Sequence, residues 1–409
     1  MSESTPLSLD PTGGARRAEE AALHAGGAAV RADLVGVTVW AVNDPDLLRR
    51  LLTDPRVSKD PHRHWPEFPE RVVGRWPLDL WVNGQNMFTA YGSEHRRLRR
   101  LISPAFNPRR VNALLPRVEA ITAELVDAIA AVAPGVPVDL RAALAEPVPV
   151  RVISELVGVP EEMADDFRRV VRTVFDTSVP LERAQANHAE YSALLGTLAA
   201  RRRAEPGDDL TSALIEARDE EGDGSRLSEG ELTSTLMLVV SAGYETTTNL
   251  LDQAVTALLT HPEQRELVRS GGVPWGEVIE EALRYEAPVS HLPLRYAVSD
   301  IELPDGGLIR AGETILASYG AAGRHPRVHG ETAGDFNISR VNKEHLSFGH
   351  GPHFCLGAPL ARAEAAVALP ALFDRFPGIR LAVAPEALRP VRSLVSNGHV
   401  ELPVLPHGR

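Results

Sequence analysis

The chain has little of several things, and each shortage excludes something. One cysteine stands among 409 residues, so no internal disulfide can form, which fits a reducing, cytoplasmic setting. No stretch approaches the roughly 20 consecutive apolar residues that a membrane-spanning helix needs. The N-terminal MSESTPLSLDPTGGARRAEE lacks the apolar core of a signal peptide. Positive charge is not in excess either: the net charge is −12, which argues against non-specific nucleic-acid binding by the molecule as a whole. The chain reads as soluble, unanchored and cytoplasmic.

What is present is an ordinary globular composition, 44% hydrophobic and 24% charged, in a chain long enough for a large core around an enclosed ligand. Residues 1–15 are polar and rich in Gly and Pro, which predicts a flexible or surface-draped arm. VRADL and VTVWAV, between Val30 and Val42, alternate as two short strands. DPDLLRRLLTD predicts a helix entered at Asp44 with Pro45 at its first position. From Pro61 to Gly92 aromatic residues are scattered among prolines and glycines, a long loop whose length suggests function; a small satellite core beneath it is the alternative. Helical periodicity fills 93–290, broken by the acidic connector EARDEEGDGSR. Short strands return over 295–320, and a last helix, PLARAEAAVALPALFDRF, follows the cysteine. No repeat is visible. The prediction is a mainly α protein with a minor β region from both ends of the sequence, one interleaved unit over 1–409.

The lone cysteine sits in FGHGPHFCLG, residues 348–357, with Gly349, Gly351 and Gly357 around Cys355. Glycines let backbone N–H groups converge on one atom, and a helix starting just after the thiol favours a negative sulfur. Both features suit a metal-bound thiolate better than an inert core cysteine. His345, His350 and His353 lie near, yet their spacing fits a tetrahedral zinc site poorly, and a single thiolate suits haem iron.

F-G-x-G-x-H-x-C-L-G resembles the haem-ligand signature of the cytochrome P450 monooxygenases. The resemblance implies that fold, a triangular prism with a long central helix over the haem. It makes Cys355 the proximal ligand of haem b, with Phe348 packed beside it, Gly357 in the same loop, and His353 a partner of a haem propionate. Other segments are similar to the family too. Glu281 and Arg284 in EEALRYEAP share a helix face; with Arg340 in DFNISR they resemble a buried structural ion-pair element. Ser228 and Glu231 form a capping box for a helix reaching about Thr260, roughly 48 Å long at 1.5 Å per residue. Within it, Ala242-Gly243-Tyr244-Glu245-Thr246 resembles the oxygen-binding groove. Thr246 can bond back to the carbonyl of Ala242 and open the helix locally. Glu245 and Thr246 would be the acid–alcohol pair that delivers protons for oxygen activation. In SEHRRLRR, His95 and Arg99 share a face; by resemblance they reach propionates, helped by Arg295, while Arg96, Arg97 and Arg100 turn outward as a landing site for an acidic electron carrier. One departure is AAGRHPRV, which places Gly323 and His325 where the family often has Asn and Asp.

The resemblance implies a monooxygenase that uses O2 and electrons from NAD(P)H through a reductase and a separate ferredoxin. Substrate would meet the Trp65–Phe88 loop, including Met87 and Phe88, then Val239, Val240 and Ala242, Val289 and Leu292, and a turn at Leu394 and Val395. Few charges fall there, which predicts a mainly apolar small molecule, with a steroid preferred over a macrolide or other polyketide. A monomer is expected, without membrane or nucleic-acid partners. Two alternatives stay open: peroxide-driven chemistry at the same site, and a haem-free accessory protein, from which the retained Cys355 and its propionate partners argue away.

Overall fold

A computed structural model describes residues 5–219, 222 and 224–408. Its axis is the helix Glu229–Thr260. Ser228 caps it reciprocally: Ser228 N–H donates to Glu231 Oε2 (2.7 Å) and Glu231 N–H donates to Ser228 Oγ (3.2 Å). Beyond the first turn most of its side chains are buried, and polar ones such as Glu245, Asn249, Asp252 and Gln253 are buried among the apolar ones. Helices Pro147–Val157, Glu161–Phe175, Leu181–Ala204, Trp275–Tyr285 and Ala358–Arg375 pack around it. Pro108–Ala130 lies in turn against the last of these.

The β region sits at one side. Leu7–Ser8, Ala29–Leu34, Val37–Val42, Thr314–Ser318, His291–Ala297 and Val57–Ser58 lie side by side in that order. Val39–Val42 runs parallel to Thr314–Ala317, so the beginning of the chain is tied to its last third. Near the C-terminus, Pro403 and Val404 pair with Asp139 and Val138.

Two expectations change at this level. The described part of the N-terminal arm is fixed rather than flexible: Leu7 and Ser8 pair with Ala32 and Asp33, and Leu9 is buried. In the long loop, Trp65, Phe68 and Trp76 form a satellite core against the sheet, with Trp65 stacked on Tyr296 at 5.4 Å; only its later part reaches the cavity described below. Residues 220, 221 and 223 of the acidic connector lie outside the described residues.

Glu281 and Arg284 are fully buried, paired at 2.7 Å, and Arg340 joins at 3.5 Å from Glu281. Arg284 also donates to the carbonyls of Gly323, Ala333 and Asp335. Gly323 presses on the backbone of Arg284 so closely that a Cβ would overlap the Arg284 carbonyl. This is why glycine stands there. The element clamps the segment leading into the cysteine loop.

Candidate active site

Between the central helix and the cysteine loop lies a cavity of about 800 Å³. Cys355, Phe348, Gly349, His353 and Gly357 line one wall, and Ala242, Gly243 and Thr246 the opposite one. Thus the helix groove and the cysteine loop, over 100 residues apart in sequence, face one another.

The loop's shape follows from two glycines. Gly349 and Gly351 both have φ near +70°, a region that L side chains rarely adopt. At Gly351 a Cβ would also lie 2.8 Å from Thr53 Cγ2. Gly357 differs: its φ is −80° and a Cβ would meet nothing closer than Cys355 Sγ at 3.8 Å. It serves as the residue before the helix Ala358–Arg375. Cys355 N–H donates to Phe348 O at 2.9 Å, closing the loop, and Arg99 donates to Phe354 O at 2.8 Å. Cys355 has accessible surface, yet that surface faces the cavity and the thiol is enclosed. Burial pushes the thiol's pKa up, opposed by the Gly357 and Ala358 N–H groups and by the Arg99 and Arg362 guanidinium groups. The thiol is therefore costly to ionise alone, while its surroundings are built for a negative sulfur. A metal cation supplies the missing stabilisation.

Beside the loop stands a cluster of cations. His95 and His353 rings lie 4.0 Å apart, Arg99 and His353 line the cavity, and Arg295 is buried with only Tyr319 OH at 3.3 Å. Lys59, which sequence reasoning missed, is buried among them. Its Nζ lies 3.4 Å from the Phe88 ring centroid and 3.4 Å from Pro293 O. Among the described residues no carboxylate pairs with any of the five. His95 Nε2 and Arg295 Nη1 are buried without a partner. Burial and the neighbouring Arg99 and Arg96 push His95 down to about 4. Burial and Arg295 push Lys59 far down, and burial with His95, Lys59, Arg295 and Arg99 does the same to His353. Burial alone therefore disfavours charge on the imidazoles and the amine, and an anionic partner would restore it. This set fits a ligand bearing two carboxylates, as haem b does, and Cys355 would hold its iron.

On the central helix, exposure marks the cavity face. Ala242 is open to the cavity and Gly243 and Thr246 partly so, whereas Tyr244 and Glu245 are buried. Thr246 Oγ1 donates to Ala242 O at 2.5 Å, the expected back-bond. At Gly243 a Cβ would overlap the Ile153 side chain. Glu245 does not line the cavity. Its carboxylate accepts from Arg141 Nη2 at 3.0 Å and from Ser396 Oγ at 2.7 Å. A helix turns about 100° per residue, which carries the Glu245 side chain off the cavity face and toward Arg141.

Of the expected pocket residues, Met87, Phe88, Val239, Ala242, Val289 and Leu292 line the cavity. Three do not. Val240 is turned about 100° from Val239 and packs in the helical core. Leu394 and Val395 belong to the sheet-side core, where Val395 O accepts from Ser290 N–H at 2.8 Å. The cavity also has polar residues that sequence reasoning did not name, His188, Ser192 and Thr233 among them. In the basic patch Arg96 is exposed. Arg97 is held by Glu94 and Glu231, and Arg100 by Asp219 at 2.8 Å, so these two are internally neutralised.

Comparison with known proteins agrees with the geometry. The family model described as Cytochrome P450 matches residues 157–270 and 276–381. The chain is 42% identical over 407 residues to a 2-hydroxy-5-methyl-1-naphthoate 7-hydroxylase of Streptomyces carzinostaticus, covering 99% of this chain and 98% of that one. It superposes on the 1.85 Å structure of CYP154A1 from Streptomyces coelicolor A3(2) with a TM-score of 0.94 and 57% identity, covering 98% and 100% of the two chains. A steroid-bound CYP154C4 from Streptomyces sp. ATCC 11861 gives a TM-score of 0.94 at 42% identity, with 98% of each chain covered. Among the described residues no helix is long and apolar enough to cross a membrane. The cavity, its thiol and its unpaired cations are those of an oxidoreductase that uses haem and dioxygen: the chain belongs to the cytochrome P450 family and is a monooxygenase of actinomycete type.

Proposed function

We propose that this monooxygenase hydroxylates a steroid, with electrons passed from NAD(P)H through a reductase and a ferredoxin. The observation that carries the substrate reading is the lining of the cavity away from Cys355. Met87, Phe88, Phe175, Met237, Val239 and Leu292 make it predominantly apolar, with His188, Ser192 and Thr233 as separate polar points. A rigid fused-ring hydrocarbon with a polar group at its end suits such a lining, and the steroid-bound relative supports the same class. An aromatic or macrolide polyketide is the second reading, favoured by the naphthoate hydroxylase and by the 40% identity to a 6-deoxyerythronolide B hydroxylase of Saccharopolyspora erythraea.

Haem, when bound, supplies the oxidising chemistry. The chain's own residues hold it and manage protons. Cys355 would hold the iron, in a loop whose N–H groups and Arg99 favour the anionic sulfur. His95, Arg99, Arg295, His353 and Lys59 would take the propionates, whose negative charge would offset the cost of burying these basic groups. On the other side Thr246, bonded back to Ala242, holds a hydroxyl at the cavity wall. Glu245 would serve as the acid behind it, and rotation away from Arg141 and Ser396 is what brings its carboxyl toward Thr246. Retention of this pair argues against a peroxide-driven enzyme. An acidic ferredoxin would meet the face bearing Arg96.

A spectral binding screen of steroids and macrolactones against the haem-loaded protein tests the substrate. Steroids are expected to displace water from the iron and shift the Soret band at low concentration. A shift with macrolactones and none with any steroid would transfer the assignment to polyketides.

A further inference from the structure

Near the C-terminus, Ser396-Asn397-Gly398-His399 lies against the side of the central helix that faces away from the cavity. Ser396 Oγ donates to Glu245 Oε1 and accepts from Asn249 Nδ2 at 2.6 Å. His399 Nδ1 lies 2.7 Å from Asp252 Oδ1, and the His399 backbone N–H donates to Asp252 Oδ2 at 2.8 Å. Arg141 bridges the two carboxylates. It donates from Nη2 to Glu245 and from Nη1 to Asp252 Oδ2 at 2.9 Å. Gly398 makes this approach feasible, since a Cβ there would lie 2.8 Å from Arg141 Nη1. A chain of three contacts, Glu245–Arg141–Asp252–His399, therefore runs from behind the cavity wall outward. The side chain of Asp252 is 0% exposed, those of Arg141 and Glu245 10% and that of His399 15%, so the histidine is the most open member of the chain.

Charge counting gives this chain a function. It holds two carboxylates, one permanent guanidinium and one imidazole, which is positive when protonated and neutral when not. With His399 protonated the cluster sums to zero; with His399 neutral it carries one uncompensated negative charge. The surrounding charges do not fill the gap. Glu146, which acts on Arg141, is paired with Arg172. Asp139 accepts from the backbone N–H groups of Arg141 and Leu402. Arg389 and Glu401, flanking His399, face each other at 3.7 Å. Asp252 keeps four donors, Arg141, the His399 backbone and ring, and Thr256 at 3.5 Å, whereas Glu245 has two, Arg141 and Ser396. Glu245 is thus the carboxyl that gains a proton at least cost when the charge on His399 is lost.

We propose that His399 is a positioning residue that governs the proton affinity of Glu245 through Asp252 and Arg141. Protonated His399 keeps Glu245 ionised and clamped to Arg141; neutral His399 favours a protonated, releasable Glu245 carboxyl. The proton leaves His399 Nε2 for bulk water, Glu245 takes one from water on its own side, and Nδ1–H stays on Asp252 throughout. No proton passes through the guanidinium. This inference rests on the reading of Glu245 as the acid behind Thr246.

The test is an NMR titration of the histidine imidazoles in the ferrous carbon monoxide complex, which is diamagnetic, with the His399 signal assigned by its loss in His399→Gln. Coupling is reciprocal, so Glu245→Gln should lower the His399 pKa by about half a unit or more, a roughly threefold loss of proton affinity. Asp252→Asn, which alters the direct partner, should lower it further. An unchanged His399 titration in Glu245→Gln would overturn the proposal. Infrared spectra give the converse: at neutral pH His399→Gln should gain a protonated-carboxyl stretch that disappears when Glu245→Gln is added. Absence of that stretch would equally overturn it. Neither measurement involves turnover, so a failed Thr246–Glu245 relay and a failed His399 coupling are distinguishable.

Discussion

The carboxylates around Arg141 and the cations around Arg295 are both buried, and they differ in what completes them. Glu245 and Asp252 find their partners within the chain: the Arg141 guanidinium, the Ser396 hydroxyl and the His399 imidazole. Lys59, His95, Arg99, Arg295 and His353 find no carboxylate among the described residues, and two of their nitrogens are left bare. The first cluster belongs to the folded protein. The second is half of an interaction whose other half is the cofactor. Basic groups buried together hold charge only if a counter-charge arrives, so the unsatisfied cluster points to where the ligand's carboxylates would sit.

Removing charge should therefore act oppositely in the two clusters. The largest effect is expected from Asp252→Ala, which strands Arg141 and His399: about 3–5 kcal/mol of stability lost, with and without haem, measured by denaturant unfolding. Asp252 also predicts an acid limb. Burial raises its pKa, but His399 and Arg141 outweigh that and hold it below the ordinary 3.8. A depressed carboxyl contributes stability above its unfolded-state pKa and loses it as pH falls through the folded value. Stability should decline below about pH 4, and Asp252→Asn should flatten that limb; equal slopes would remove Asp252 from it.

Thr246→Ala comes next. It leaves both clusters intact, so haem and substrate should still bind, while product formed per electron pair falls about a hundredfold and peroxide rises. Unchanged coupling would take Thr246 out of proton delivery. Arg295→Met sharpens the contrast most. Haem retention should weaken by about 10–100-fold, the worth of a lost charged hydrogen bond, while the haem-free protein should be as stable as before or more so. A haem-free protein destabilised as much as the loaded one would mean that Arg295 is satisfied by the fold. The smallest effect belongs to the surface: Arg96→Ser should raise the apparent KM for ferredoxin about threefold at low salt and not at high salt.

The cation cluster was partly legible in the sequence and the carboxylate cluster hardly at all. Cys355, His353 and Phe348 lie in one contiguous signature, and His95 and Arg99 are one helical turn apart, so local spacing was enough. Lys59 follows the two-residue strand Val57–Ser58 with no pattern around it; that it is one of two lysines in the chain was the available hint. Arg141 opens a π-helical turn, Arg141–Ala145, and His399 is 147 residues from its partner Asp252. Neither carries a local period. Helical geometry did contain a usable signal: Val239, Ala242, Gly243 and Thr246 fall at i, i+3, i+4 and i+7, one face. That face leaves out Val240 and Glu245, both placed on the cavity side in the sequence reading. Leu394 and Val395 were misplaced because a turn beside a pocket and a turn over a sheet look alike in sequence.

The account depends on an iron porphyrin held by the Cys355 sulfur with its carboxylates among the five cations. The most direct measurement is the absorption spectrum of the reduced, carbon monoxide-treated protein beside that of Cys355→His. The native chain should show the strongly red-shifted Soret band of a thiolate ligand, and the variant that of a histidine-ligated globin. A globin-type band in undamaged native protein, or a red-shifted band surviving in Cys355→His, would contradict it.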